Sequence, residues 1–303
     1  MRANSMSAMQ PMKSIKLGQL IQEAAAQLDQ AQVAFGHGTL NAHDEATWLL
    51  LWQLQMPLDT EVSDDITVNE AELKACQELI QQRILTRKPA AYLTQEAWLQ
   101  GIPFYVDERS IVPRSFIAEL IVDGAFDGWL KESSHQFLDL CTGNGSLAII
   151  CAMAYPDVSV VGADISFEAL EVAKINVSKH QLQDSVKLVH SDGLKNVTGT
   201  FDCIVCNPPY VCKASMDELP KEFKAEPLLA LAGGADGMDF VRQLFIDLPH
   251  HMNPEAILIL EIGNEREHFE NAFPTLEAVW LETSAGEDQV LLLTREALLK
   301  HPS

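Results

Sequence analysis

The chain has 303 residues, 47% hydrophobic and 21% charged, ordinary proportions for a packed globular protein with room for one large domain and a smaller one. Its formal net charge is -22, from Asp+Glu 43 against Lys+Arg 21. Such a surface repels phosphate backbones and attracts basic partners, which weighs against a nucleic-acid substrate and sequence-specific nucleic-acid binding. The apolar runs are broken by Asp, Gln or Pro before they reach bilayer length, so no membrane partner is expected.

The first 14 residues are polar and lack the apolar core of a secretory signal; their composition suggests a floppy lead-in. From Ser14 to about Arg87 the pattern predicts only helices. Ile15, Leu17, Leu20, Ile21, Ala24 and Leu28 trace an apolar face behind a Ser14 cap. A second helix is expected over 44–55, weighted by Trp48, Leu49, Leu51 and Trp52. A third begins at Asn69, where Glu72 three residues on makes a capping pair. Nothing in this stretch has catalytic spacing. Pro89 then breaks the pattern, and 98–112 predicts a hairpin with Gly101 near its turn. The expected organisation is a helical domain over 1–95, a hairpin connector over 96–113 and a larger domain over 114–303.

Beyond Gln136 strands and helices alternate, with strands expected over 137–140, 158–163, 186–190, 201–206 and 256–261. The helices fall over 147–154, 167–180 and 240–251. This α/β alternation predicts a parallel, doubly wound sheet that binds ligands at its carboxyl edge. Among six cysteines, Cys203 and Cys206 form a C-x-x-C inside the strand F-D-C-I-V-C-N. Strand alternation sends those thiols to opposite faces. Buried free thiols, no metal and a reducing, cytoplasmic compartment are therefore expected.

Between the first strand and first helix lies D-L-C-T-G-N-G-S, comprising Asp139, Cys141, Thr142, Gly143, Asn144 and Gly145. Its glycines allow close backbone approach to a ligand, but Cys141 replaces the first glycine of the dinucleotide fingerprint and the third is absent. Asp164, beside Ile165, ends the second strand, where a carboxylate can accept from both ribose hydroxyls. Asp192, beside Gly193, ends the third, placed for an adenine amino group. A ligand with adenine and ribose but no phosphate fits these acids better than a dinucleotide, and that ligand is S-adenosyl-L-methionine. After the fourth strand comes N-P-P-Y, Asn207 to Tyr210. The prolines stiffen the loop. The Asn207 side-chain oxygen and the Pro208 carbonyl can hold an NH₂ group, with Pro209 shaping the loop and Tyr210 offering a flat face. Stabilising the charge that develops on nitrogen needs positioned acceptors rather than a strong base. The acceptor is thereby narrowed to a planar amine: glutamine, adenine or cytosine.

At these residues the chain resembles the HemK superfamily of N-P-P-Y protein-glutamine methyltransferases, over roughly residues 87–294. The segments that carry the resemblance are R-K-P-A-A-Y-L from Arg87, V-P-R-S-F-I-A-E-L from Val112, D-L-C-T-G-N-G, N-P-P-Y and E-P-L-L-A-L-A-G-G-A-D-G from Glu226. P-R-S followed by E-L, where release-factor enzymes carry P-R-P-D-T-E, looks closest to the PrmB branch. That branch modifies a glutamine in large-subunit ribosomal protein three. The resemblance implies a class I (Rossmann-like) S-adenosylmethionine methyltransferase sheet and an N-terminal domain for recognising a basic ribosomal protein. Glutamine methylation of release factors and adenine-amino methylation of nucleic acid are the alternatives. Phe116 and Glu96 depart from the branch's commonest residues. Gly193 stands where release-factor enzymes place a Trp beside the adenine, so that wall must come from elsewhere.

Overall fold

A computed structural model describes residues 14–63 and 65–301; the expected lead-in before Ser14 lies outside them. The chain divides into two compact units, one ending at Thr94 and the other starting at Gln95.

The first unit runs β1 (Ile15–Lys16), α1 (Leu17–Gln30), α2 (Ala42–Gln53), β2 (Thr67–Val68), α3 (Glu70–Thr86) and α4 (Ala90–Thr94). The helices-only expectation is corrected here. Ile15 and Lys16 pair antiparallel with Val68 and Thr67, and the Leu17 N–H donates to the Ile66 carbonyl at 2.9 Å. Backbone pairing thus takes the place of the expected Ser14 cap, and α1 starts at Leu17. Asn41 caps α2 by accepting from the Asp44 N–H at 2.9 Å. The Asn69–Glu72 capping box forms at α3 as its spacing predicts. Leu17, Leu20, Ile21 and Leu28 pack with Leu49, Leu50 and Ile80. Beside this core lies a fully buried ion pair, Arg83 Nε to Glu45 Oε1 at 2.8 Å.

The second unit opens with β3 (Glu96–Leu99) and β4 (Ile102–Tyr105), paired from Glu96↔Tyr105 to Leu99↔Ile102 around Gly101. The hairpin stops short of the expected residue 112 because Tyr105 turns its backbone to another partner. The Asn176 side chain accepts from the Tyr105 N–H at 2.7 Å and donates to its carbonyl at 2.9 Å. Then follow α5 (Ile117–Val122), β5 (Gln136–Leu140), α6 (Ser146–Ala154), β6 (Ser159–Asp164), α7 (Phe167–Lys179), β7 (Val186–His190) and β8 (Phe201–Cys206). The chain ends through α8 (Lys213–Glu218), α9 (Asp239–Asp247), β9 (Met252–Glu261), α10 (Arg266–Ala272), β10 (Val279–Thr283), β11 (Gly286–Thr294) and α11 (Arg295–Lys300).

These strands build a 7-stranded sheet in the order β10-β11-β9-β8-β5-β6-β7. The β5–β9 portion is parallel, as the alternation predicts. Beyond the strands that the alternation covers, the sheet continues at one edge with an antiparallel pair: β11 runs antiparallel to β9, and β10 to β11. The two are joined by a tight turn at Gly286, too short for the crossover a parallel pair requires. Alternate residues divide between two apolar layers. Phe137, Val205 and Ile259 face one layer, and Leu138, Ile204 and Leu258 the other. Cys203 and Cys206 fall in different layers, the opposite-face placement expected of them. From β5 the chain winds outward through β6 and β7, then returns to add β8 and β9 on β5's other side. The reversal opens a crevice between the carboxyl ends of β5 and β8, the place where open α/β sheets bind ligands.

Candidate active site

The loop leaving β5 is held from below. Asp139 is fully buried, and its Oδ2 accepts from the Thr142 hydroxyl and from the Ala148 N–H at 2.9 Å. Burial pushes its carboxyl pKa from 3.8 up to about 7, against the pull of those hydrogen bonds. Asn144 accepts from the Ser146 N–H with its side chain, and its carbonyl takes the Asn176 amide at 2.9 Å. One residue of α7 therefore ties the loop to the hairpin. Gly145 lies against Ala173, whose Cβ would stand 3.1 Å from any added Cβ. Cys141, Gly143 and Gly145 all sit in the left-handed region, at φ 62°, 55° and 81°. For Cys141 that conformation costs about 1–2 kcal/mol.

Asp139, Thr142, Asn144 and Gly145 line neither of two neighbouring cavities; they shape the turn that does. The larger cavity, about 240 Å³, is lined by Cys141, Gly143, Asp164, Ile165, Asp192 and Gly193, together with Asn207 and Pro209. Asp164 is the last residue of β6, and its two oxygens accept the Gly143 and Ser166 N–H groups at 2.8 Å each. Burial pushes its pKa up while those backbone donors hold it down. A carboxylate has about four acceptor sites, so acceptor capacity remains for a ligand beside the Gly143, Ser166 and Ile165 backbone donors. Asp192 lies two residues past β7, in the following turn rather than at the strand's end, and is exposed and paired with Lys195.

An adenosyl group with no phosphate suits this lining. A side chain at Gly143 would project into open space, so a ligand can come down onto that backbone. Asp164 and Asp192 supply acceptors. Arg109, a cation in the wall, is already spent on Asp107 at 2.7 Å. Phe240, Leu229 and Ile165 add apolar surface, the wall that Gly193 cannot provide.

The smaller cavity, about 140 Å³, is lined by Pro208, Tyr210, Arg114, Phe223 and Leu231, and again by Asn207. Asn207 is thus common to both. The N-P-P-Y loop leaves β8 and is fixed by three glycines against the Tyr210 segment. A Cβ at Gly233 would stand 2.7 Å from Tyr210 Cα, and one at Gly263 would stand 2.5 Å from its ring; Gly237 lies against the Tyr210 carbonyl. The A-G-G-A-D-G run therefore makes room for the loop. The Val211 N–H donates to the Leu231 carbonyl at 2.9 Å, and the Val211 carbonyl accepts from the Gly233 N–H at 3.0 Å. Arg114, of V-P-R-S, grips Glu226, of E-P-L-L, through two bonds of 2.6 and 2.7 Å, a bidentate charge-assisted pair.

The chain pattern did not single out Glu261, the buried last residue of β9. Its Oε2 accepts from Ser115 Oγ at 2.6 Å and the Phe116 N–H at 2.9 Å. Its Oε1 accepts from Asn207 Nδ2 at 3.1 Å and Tyr210 Oη at 3.4 Å. Burial, with this carboxyl alongside, pushes the Tyr210 hydroxyl's pKa well up, so it stays a donor. The signal for Glu261 existed in A-I-L-I-L-E: an acid closing an apolar strand, as Asp164 does. Asn176, Arg109, Leu229 and Phe240 carried no comparable mark. Among the described residues, Cys212, Glu265 and His268 bring three metal-type ligand atoms within 4.8 Å. Glu265 already serves the Cys212 N–H and the His268 ring.

The family model "Methyltransferase small domain" matches residues 127–253. The ribosomal protein uL3 glutamine methyltransferase of Bordetella pertussis (strain Tohama I) is 49% identical over 286 residues, 93% of this chain and 96% of that protein. Its namesake from Neisseria meningitidis serogroup B is 46% identical, covering 92% of this chain and 93% of its own. Among solved structures, the hMettl16 catalytic domain in complex with MAT2A 3'UTR hairpin 6 superposes with a TM-score of 0.51 at 12% identity. It covers 76% of this chain and 84% of that one, a likeness of fold alone.

Proposed function

The chain belongs to the family of ribosomal protein uL3 glutamine methyltransferases, and from that premise we propose that it methylates the side-chain amide nitrogen of a glutamine in ribosomal protein uL3, with S-adenosylmethionine as methyl donor. The observation that carries this reading is that Asn207 lines both cavities. The larger takes the cofactor, through Asp164 for the ribose, Asp192 for the adenine amine and the Cys141–Gly145 loop. The smaller takes the glutamine side chain. When bound, S-adenosylmethionine supplies an electrophilic methyl group on a sulfonium.

The chain's own residues solve the other half of the problem, which is a weak nucleophile. An amide nitrogen shares its lone pair with the carbonyl, so it reacts only when its plane is held and the lone pair aimed. Asn207 Oδ1 and the Pro208 carbonyl accept the two amide hydrogens, and Tyr210 flanks the plane. Those acceptors also stabilise positive charge as it grows on nitrogen. An alkylated amide nitrogen is acidic enough to release its surplus proton to water, so no strong base is needed. The apolar walls keep water off the site until then.

The -22 net charge supports a basic protein partner over nucleic acid. Cytoplasmic residence is part of the same proposal, resting on a ribosomal substrate and free cysteines; among the described residues no helix is long and apolar enough to cross a membrane. The test is the intact mass of uL3 from cells lacking this chain. It should be lighter by one methyl group, and an unchanged mass overturns the proposal.

A further inference from the structure

The Asn207 side chain donates from Nδ2 to Glu261 Oε1 at 3.1 Å. The two residues are next in register: β8 and β9 run parallel with Cys206 opposite Leu260, and Asn207 and Glu261 follow. An asparagine amide fits its site equally well in two orientations that swap oxygen for NH₂. What breaks the tie is the partner. Burial pushes the Glu261 pKa up, while the Ser115, Ile117 and Phe116 donors and the nearby Arg114 charge pull it down. With donors on both of its oxygens it accepts at each, so it selects the NH₂ face and sends Oδ1 the other way. Glu261 also takes the Tyr210 hydroxyl and, on its far oxygen, Ser115 Oγ and the Phe116 N–H. Its donors are all neutral, and it is 2% exposed.

We infer that Glu261 is a positioning residue for methyl transfer: it fixes which face of the Asn207 amide meets the substrate, presenting Oδ1 as the acceptor for the glutamine NH₂. This rests on the proposed role of Asn207. The pairing also gives Asn207 two duties, donor to Glu261 and acceptor to substrate, where the sequence suggested acceptance alone.

The connectivity sets an unusual pattern of variants. In Glu261→Gln the Phe116 N–H can only donate, so it retains the new carbonyl and leaves the new NH₂ toward Asn207. The Asn207 amide then turns over to accept that bond and offers NH₂ to the substrate's NH₂. In Asn207→Asp two carboxylates face each other, and one must take up a proton or move away. Combined, the two changes agree again: the new amide donates to one oxygen of the new carboxylate, and the other oxygen faces the substrate as an acceptor.

The experiment measures kcat and KM on isolated uL3 with radiolabelled S-adenosylmethionine, cofactor affinity by calorimetry, and thermal unfolding. Glu261→Gln should lose about 10²-fold in kcat, with cofactor affinity and the unfolding midpoint close to wild type. Asn207→Asp should lose a similar factor, and the double variant should recover at least tenfold over either single one. A double variant no better than the worse single, or a Glu261→Gln enzyme near wild-type kcat, overturns the positioning role. So does a Glu261→Gln protein without cooperative unfolding, which makes Glu261 structural. Asn207→Ala separates the two levels: if it stays active, the proposed Asn207 chemistry fails, whereas an inactive Asn207→Ala beside an active Glu261→Gln removes this inference only.

Discussion

Both units of the chain bury carboxylates, but each compensates them differently. In the helical unit Glu45 is matched by a formal charge. Arg83 bonds to it at 2.8 Å and also to the Ala34 carbonyl, and Thr39 takes the second carboxylate oxygen. Burial pushes the Glu45 pKa up and Arg83 pulls it back. In the sheet unit Asp139, Asp164 and Glu261 stand at or next to the carboxyl ends of β5, β6 and β9. Their hydrogen-bond partners are neutral hydroxyls, an amide and backbone N–H groups. A carboxylate bonded to a buried cation serves as a fastener between helices. A carboxyl held by neutral dipoles has acceptor sites that orient a loop or a ligand, while burial pushes its pKa up with no bonded cation to pull it back. The carboxyl edge of the sheet collects the second kind.

That contrast can be broken from the helical side first, where the largest stability loss is expected. Arg83→Ala leaves Glu45 buried with the Thr39 hydroxyl but without the bonded cation. Removing one member of such a pair costs about 3–5 kcal/mol. Urea unfolding reads it directly; a loss below about 1 kcal/mol would mean that water or rearrangement compensates the pair.

On the sheet side, Asp164→Ala should weaken S-adenosylmethionine binding by about 1.5–3 kcal/mol while leaving a cooperative unfolding transition. Unchanged affinity by calorimetry would remove the ribose role from Asp164. Asp139 sharpens the comparison through pH. Its pKa rises from 3.8 to about 7 on folding, so the native state holds the proton more tightly than the unfolded one. Its contribution to stability is therefore full below about pH 4 and is lost as pH rises through about 7. Asp139→Asn should flatten that fall, seen as urea midpoints that no longer drop between about pH 4 and 7. A wild-type slope retained in the variant would assign the titration to another group.

The smallest effect belongs to the surface. With a net charge of -22, docking to a basic substrate should weaken as salt screens it. The Michaelis constant for uL3 should rise severalfold from low to physiological ionic strength. A flat response would leave the charge to solubility alone.

What the chain pattern revealed, and what it hid, follows the range of the interactions involved. The parallel strands were legible because each is a short apolar run set off by turn residues. The Asn69–Glu72 cap was legible because its partners are three residues apart. The β10–β11 hairpin escaped: Val290 to Leu293 form an apolar run, but only pairing with β9 on one side and β10 on the other shows them to belong to the sheet. The two-residue pairing of Ile15–Lys16 with Thr67–Val68 likewise depends on residues far apart in the chain. In the site, Asn207, Tyr210, Cys141, Gly143 and Asp164 were visible as local motifs. Glu261 was not, because its link to Asn207 spans 54 positions. The glycines at 233, 237 and 263 carry meaning only once Tyr210 is seen against them.

The central claim, that Asn207 holds the glutamine amide between two cavities, is tested most directly by single-turnover methylation of uL3 by Asn207→Ala, with cofactor binding measured on the same sample. The rate should fall by about 10²–10³ with S-adenosylmethionine affinity retained. Turnover near the wild-type rate would reduce the N-P-P-Y loop to a rigid turn and contradict the account.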